Sequence, residues 1–575
     1  LSGILLALGA TSGAMMIGDP ALAAGAGTIT ALAVTGDDIP GGEGKFFQFS
    51  DVSINDAGQI GFYSDLMATP GGGRDNAGIF WKDGDRWTQL VRSGQAVPDG
   101  SGVLAGRYDI GMFSTLFNRS GAVAFPSKIY RTATGRSDRT GLFLGGGQGL
   151  MQMVGEGQAI AGGAGTLTSI PSFMGLSFND AGDVLIRGRY EDALGSEEDG
   201  VLLVQGTNIT VVATTGDTAG AYQSLGFYAV LNHAGQIAFV GSAGSWGNDT
   251  VLLKTGASAP TTIARPDQAV GGDTLQVDGY GYLSLNEHGH VAFSGRIGGD
   301  AALLRGDGES LSVLVREGQP GPGGEGQIED VDHGKVSAMN PAGQVAFVAG
   351  WSGGGGEGAG STHDGILLAD GAGLAVVART GDAVPGANGK FDFEHDDDDP
   401  GLLLNAKGQV LFRATLVETS GGYGDNEGIF LHDAALGLMT VARRGDALLG
   451  STIVDLEYSS PASHPGGHSI PLNGRGQVVF EFDLNDGRSG IAVWTPPSGG
   501  GQEPVRARIS YDPSGRAVVT SWPAAVVGAT LESTTNPANP SGWSPVDAAP
   551  VPAGTEWRVT QPVEGPERFY RLRLD

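Results

Sequence analysis

Cysteine is absent from the 575-residue chain. That excludes a disulfide framework, thiolate zinc sites, iron–sulfur clusters and a cysteine nucleophile together, and leaves stability to packing and hydrogen bonds. Positive charge is scarce: 34 Lys and Arg stand against 63 Asp and Glu, a formal net charge of −29. Electrostatic tracking of a phosphate backbone or an anionic membrane surface is disfavoured, so no nucleic acid partner is expected. Long apolar runs are missing too. Beyond the N-terminal segment no stretch reaches the ~18 apolar residues that a spanning helix needs. That segment, LSGILLALGATSGAMMIGDPALA over residues 1–23, ends in Ala21-Leu22-Ala23, the small-x-small form of a signal-peptidase site. It reads as an N-terminally incomplete signal peptide cleaved before Ala24. A secreted, extracellular or cell-surface bacterial protein is expected, with no membrane insertion after cleavage.

Glycine is what the chain has in excess, at 101 positions, against an average usage of roughly 7%. That is too much for a helical protein. An internal repeat explains it. The motif Asn-x-x-Gly-polar-Val/Ile-x-Phe occurs as NDAGQIGF from Asn55, NRSGAVAF from Asn118, NDAGDVLI from Asn179, NHAGQIAF from Asn232, NEHGHVAF from Asn286, NPAGQVAF from Asn340, NAKGQVLF from Asn405 and NGRGQVVF from Asn473, about every 60 residues. A Gly-Ile-Phe-Leu-like run follows each copy, from GIFW at Gly78 to GIAVW at Gly490. A third signature, a small residue or Pro followed by Asp or Gln, recurs from Gly36-Asp37 to Gly445-Asp446 and includes Pro266-Asp267.

Each signature has a physical reading. Asn at a turn start can accept from backbone two residues on, and Gly three residues later tolerates positive φ, so the motif is a tight hairpin between two strands. The Gly-Ile-Phe-Leu run, a polar turn such as KDGDR and the next apolar run make a second hairpin. Four antiparallel strands repeated in this way are the sequence form of a propeller blade. The chain opens with a lone fourth strand, TITALAVTGD from Thr28, while the last unit stops after its third strand at GIAVWTPP. Pairing the two would complete an eighth blade and remove an exposed edge. The expected fold is all-β: an eight-bladed β-propeller over residues 24–497 closed by an N-/C-terminal clasp. A Gly-rich linker (498–503) and a small C-terminal β-sandwich module (504–575) follow.

The repeat resembles that of bacterial exported tandem-repeat proteins named for the Asn-x-x-Gly-x-x-x-Phe motif, over roughly Thr28 to Pro497. That resemblance implies export and carries no established biochemical role. Members often have a C-terminal sorting tail, which this chain lacks, so covalent or membrane anchoring does not carry over. The C-terminal module, with runs such as VRARISY and RFYRLRL, resembles short sandwich modules closing many secreted bacterial proteins. Its Trp522, Trp543 and Trp557 suit a small core better than a sugar-stacking platform.

Chemistry is expected where the repeats differ. Long polar segments are expected in the links from one unit's fourth strand to the next unit's first: AGRYDIGMF around Tyr108, QVDGYGY around Asp278, QIEDVDH ending at His333, FDFEHDDDDP and EYSSPASHPGGH ending at His468. Glu394, Asp396, Asp397, Asp398 and Asp399 crowd enough oxygen for Ca²⁺, the alternative being a solvated acidic loop. His333, His395, His464 and His468, with Tyr108, Tyr280 or Tyr458, could form an acid–base set or a three-His metal site. Isolated surface histidines are the plainer reading. Arg107 could offset acidity toward an anionic substrate. No organic cofactor is expected. Gly350-Trp351-Ser352-Gly353-Gly354 matches a nucleophile elbow but lacks a following helix. The Asp recurring before the third strand (Asp75, Asp138, Asp199, Asp249, Asp300, Asp364) suits backbone hydrogen bonding within each unit. Two functions remain open: a monomeric binding and scaffolding propeller for a polysaccharide or surface protein, and an extracellular carbohydrate-active enzyme, a polysaccharide lyase or glycoside hydrolase.

Overall fold

A computed structural model describes residues 27–105, 115–130, 137–147, 149–171, 176–216, 222–242, 244, 249–278, 283–324, 326–331, 338–352, 362–371, 373–386, 388–393, 400–459 and 470–497, then 508–512, 517–523, 529–534, 544–546, 548–553, 556–562 and 569–574. Contacts divide the chain into two units, Leu1–Pro497 and Ser498–Asp575. Among the described residues, no helix is long and apolar enough to cross a membrane.

The first unit is an eight-bladed propeller of antiparallel sheets. Blade 1 shows the pattern, with Lys45–Ile54, Ile60–Met67, Ala77–Asp83 and Arg86–Arg92 hydrogen-bonded in sequence order. Blade 8 is the closing blade. Its strands Ser451–Glu457, Val478–Leu484 and Ser489–Thr495 come from the end of the unit, and Thr28–Val34 supplies the fourth. The clasp pairs Thr28 with Thr495 and Val34 with Gly490. The expected fold and closure are therefore present.

Burial explains the composition of each strand. Middle strands are covered on both faces by neighbouring blades, so Ile60–Met67 is a nearly continuous buried run and not an alternating one. The fourth strand, as in Arg86–Arg92, is mostly half-buried. The core lies between blades. At the clasp Ala33, Val479 and Ile491 of blade 8 pack with Phe46, Phe62 and Phe80 of blade 1, and Phe46 meets Phe80 edge-on at 4.9 Å. Residues at the motif's last position, from Phe62 to Phe480, are at most 2% exposed, and Ile186 fills the same place in blade 3.

The turns lock the ring. In every repeat the Asn N–H donates to the carbonyl four residues on at 3.0 to 3.1 Å, and the Gly N–H donates back to the Asn carbonyl at 2.9 to 3.2 Å. The eight glycines have φ between 78° and 89°, a region costly for any residue with a Cβ. Asn55 Oδ1 accepts from the N–H groups of Ala57 and Gln59. Its Nδ2 donates to Gln59 Oε1 at 2.8 Å and to the Arg119 carbonyl of blade 2 at 2.9 Å. The inter-blade link recurs from Asn118 to the Asn179 carbonyl, Asn232 to Asn286, Asn286 to Asn340, Asn340 to Asn405, Asn405 to Asn473 and Asn473 back to Asn55. Between blades 3 and 4, the Asp180 N–H donates to His233 Nδ1 at 3.1 Å.

Two expectations change. The Pro266-Asp267 signature is shifted by one residue: Asp267 takes the glycine position, with φ 59°, and its N–H reaches the Leu275 carbonyl as that of Gly318 reaches Ile328. The recurring Asp acts through more than backbone. Asp75 accepts from the Gly71 N–H, but Asp199 pairs with Arg189 and Asp300 with Arg316. The C-terminal unit holds a four-stranded sheet (Arg508–Asp512, Ala517–Pro523, Glu556–Pro562, Val551–Ala553) and a three-stranded one (Ser544–Pro545, Ala529–Thr534, Phe569–Leu574). Trp522 and Trp557 lie directly opposite in register.

Asn473→Ala removes a buried amide and leaves the Arg475 and Gln477 N–H groups without their acceptor. A loss of about 2–4 kcal/mol is expected in urea denaturation. Gly235→Ala, whose Cβ would meet open space, should cost about 1–2 kcal/mol through φ alone. No measurable loss in Asn473→Ala would refute the amide ring as the source of closure.

Candidate functional site

The first strands of blades 2 to 7 touch in succession, and so form the wall of the central channel there. That wall is broken at one level. In blade 7, Lys390–Asp392 pairs with Thr415–Val417, and Leu403–Leu404 pairs with Val410–Leu411 of the same second strand. Between them, Phe393 and residues 400–402 stand outside the ladder. Blades 2, 3, 5 and 6 split their first strand in the same way around residues 105–115, 170–175, 278–283 and 332–337. Blade 8 pairs Glu457 with Glu481 and resumes at the Leu472–Val478 bridge.

This corrects the placement of the polar segments. They interrupt the innermost strand and are not links between blades. The true links are short and tied by the Gly-Asp/Gln signature, as in Gly94 N–H to the Leu104 carbonyl and Gly381 N–H to the Phe391 carbonyl. Tyr108, Arg107, Tyr280, His333, Glu394, His395, Asp396, Asp397, Asp398, Asp399, His464 and His468 lie outside the described residues. Tyr458 is described. It is 1% exposed, and its hydroxyl donates to the carbonyls of Pro400 (3.2 Å) and Gly401 (2.9 Å) in blade 7. The phenol thereby anchors the chain just past residue 399.

The second strand behind the break carries residues that sequence reasoning passed over. The position after the motif's Phe is Tyr63, Pro126, Arg187, Val240, Ser294, Val348, Arg413 and Glu481 in blades 1 to 8. Its flanks repeat, yet it mixes charge, hydroxyl and apolar groups. Comparing aligned repeats for buried-strand columns that change chemical class would have found it. Tyr63 donates to Asp65 Oδ1 at 2.9 Å. Arg187 donates to the Leu225 carbonyl of blade 4 at 3.4 Å, while its Nη1 is buried without a hydrogen-bond partner. Burial lowers its pKa from the ordinary arginine value. The Arg413 guanidinium lies 5.9 Å from the centre of the Tyr458 ring.

Among the described residues Glu481 is the most perturbed acid. Desolvation raises its pKa well above the ordinary 4.5, with Glu457, Asp51 and Asp483 adding repulsion against a single opposing hydrogen bond from the Val52 backbone. Glu457 faces it directly across the ladder, where like charges destabilise a sheet. Asp51, from the adjoining strand of blade 1, is 3% exposed and held at φ 56°. Its Oδ2 accepts from the Thr115 N–H of blade 2 at 3.3 Å. Acid thus gathers at the blade 8–blade 1 seam, while Arg187 and Arg413 stand in blades 3 and 7. The arrangement offers ionic and hydrogen-bonding groups to a hydroxyl-bearing ligand. It also holds a carboxyl whose pKa desolvation and neighbouring acids push upward.

The described histidines sit elsewhere. His233 lies in the blade 4 turn with Nδ1 3.0 Å from Asp180 Oδ2 and Nε2 3.7 Å from Glu287 Oε1. Burial, then Arg119, holds it below the ordinary 6.5 against the pull of both acids. Among the described residues no group of three His, Cys, Asp or Glu side chains is placed to hold a metal ion.

A family model described as a family of unknown function matches residues 11–249 and, in an overlapping alignment, 111–497. No curated protein matches the chain. Similar solved structures include prolyl oligopeptidase B from Galerina marginata (TM-score 0.39, 11% identity, 77% of this chain and 54% of that one). An acylaminoacyl peptidase from Pyrococcus horikoshii follows (0.31, 10%, 83% and 57%), as does the polysaccharide lyase Uly1 (0.31, 11%, 66% and 88%). The chain spans just over half the length of the two peptidases.

Glu481→Gln tests the half-buried carboxyl. With a folded pKa above the unfolded one, Glu481 contributes least to stability above the folded value, because there the unfolded chain has gained an ionisation the folded chain resists. The variant should be more stable than the parent near neutral pH, and the difference should vanish below about pH 4. A pH-independent difference in denaturation midpoint would contradict the raised pKa.

Proposed function

The chain belongs to the family of unknown function DUF7453, and we propose that it is a secreted or surface-associated binding and scaffolding propeller. Its ligand, a polysaccharide or a surface protein, is taken by the polar segments that interrupt the innermost strands. One observation carries the reading: six blades break the strand lining the channel at a common level, while the turns, links and inter-blade core around those breaks repeat. A rigid, repeated frame with divergent insertions is how recognition is grafted onto regular scaffolds. The mixed-sign column with Arg187, Arg413 and Glu481 supports a polar ligand over an apolar one.

On this reading residues 1–23 direct export, as the resemblance to the exported Asn-x-x-Gly-x-x-x-Phe proteins implies. The C-terminal module is an accessory, and Glu394 with Asp396, Asp397, Asp398 and Asp399 bind Ca²⁺ to order the blade 7 insertion. The chain works as a monomer.

Calorimetry and thermal shift of the chain from Ala24 against Ca²⁺ and a panel of neutral and acidic polysaccharides test the proposal, with unsaturated products and reducing ends followed in parallel. Saturable binding without product is expected. Replacing Asp396, Asp397, Asp398 and Asp399 by Asn should abolish any Ca²⁺-induced rise in the thermal midpoint. Product formation lost in His333→Ala or His464→Ala would overturn the binding reading in favour of a carbohydrate-active enzyme.

A further inference from the structure

A second column of the repeat points to a site away from the channel. In the third strand, the residue opposite the one preceding the motif's Phe is Trp81, Leu144, Leu203, Leu253, Leu368, Leu431 or Val493 in seven blades. These are large apolar residues. In blade 5 the position is Arg305, opposite Ala292. Its guanidinium donates through Nη1 to the carbonyl of Gly343 in the blade 6 turn, and among the described residues no carboxylate lies within ion-pair distance of it.

Arg305 opens onto a cleft of about 480 Å³ between blades 5 and 6, within the range of small-molecule sites. Val313 and Leu314 of the outermost blade 5 strand and Leu374 of blade 6 give it an apolar side; the link Gly321–Gly324 and Gly371 bring backbone to its edge. Val313 is 38% exposed. Among the described residues no acid lines the cleft, although acids outnumber bases 63 to 34 in the chain. A cation that replaces a repeated apolar contact and has no counter-ion among the described residues is stabilised by an anion supplied from outside.

We propose that this cleft binds a small organic carboxylate of sugar-acid size, its carboxylate on Arg305 and its ring against Val313 and Leu374. With Nη1 held by Gly343, the remaining N–H groups of the guanidinium pair with the carboxylate. The glycine backbone leaves space for hydroxyls. The site lies among outer strands, so it stands or falls apart from the binding reading of the channel. A free uronic acid and a uronate within an acidic polysaccharide share this chemistry.

Titration calorimetry of the full chain with glucuronate, a galacturonate trimer and glucose tests it. Saturable binding of glucuronate or the trimer is expected, with none for glucose; tighter binding of the trimer identifies a polysaccharide ligand, equal binding a free acid. Arg305→Leu installs what other blades carry and should fold, with affinity weakened about tenfold or more. Arg305→Lys keeps charge without the fork and should bind at an intermediate level. The proposal is overturned if the parent shows no saturable carboxylate binding. Equal affinity in Arg305→Leu overturns it as well. So does a fall in thermal midpoint in Arg305→Leu when the parent binds no carboxylate, which leaves Arg305 as a strut to Gly343 alone.

Discussion

A buried primary amide cannot be left with an unused hydrogen, since an unpaired polar group in the interior costs more than its hydrogen bond is worth in water. The turn asparagines meet this demand only as a ring. Within its own repeat each amide can bond the backbone of the turn and, where one is present, the following Gln. In seven of the eight repeats the remaining Nδ2 hydrogen goes to a carbonyl of the next repeat, the Asn473 amide to that of Asn55, and between blades 3 and 4 the Asp180 N–H bonds His233 instead. A linear array of the same units would leave its last amide unsatisfied. The strand Thr28–Val34 serves the same end at the rim, covering the edge of blade 8.

Locking the ring at its turns and inter-blade core frees the strand that would ordinarily be the most constrained. Once the second strand is held on both faces, the first strand needs to pair only at its ends, as Lys390–Asp392 and Leu403–Leu404 do. The middle is open to insertion without loss of register. Unfavourable chemistry collects at the same level: Glu457 opposite Glu481, Asp51 at positive φ, and Arg187 with an orphaned Nη1. Such features persist where surrounding structure over-determines them. The amide ring supplies that excess.

Departures from the repeat divide by what the position demands. Ile186 in place of Phe changes shape within a buried apolar site and leaves blade 3 intact. Asp267 takes a glycine φ in a link and keeps the link's hydrogen bond, consistent with the tolerance of Asp for that region. Arg305 changes the class of side chain at an apolar position and coincides with a cleft. Only the last alters what the surface can bind.

Blade number, the turn geometry and the repeated Phe were legible in the chain because each is local, and the clasp because the two ends carry complementary parts of one unit. Glycine at positive φ, Asn reaching backbone a few residues on and a fixed spacing of apolar runs need no knowledge of distant residues. Where the polar segments attach was not legible, since a link between blades and an insertion inside a strand look alike until both flanks are seen to pair with one partner. The engagement of Tyr458 with Pro400 and Gly401, the facing of Glu457 and Glu481, and the exposure of Arg305 in a cleft share that property. Each depends on register across a gap in sequence or on the approach of a neighbouring blade. Those relations come into existence only when the ring has closed.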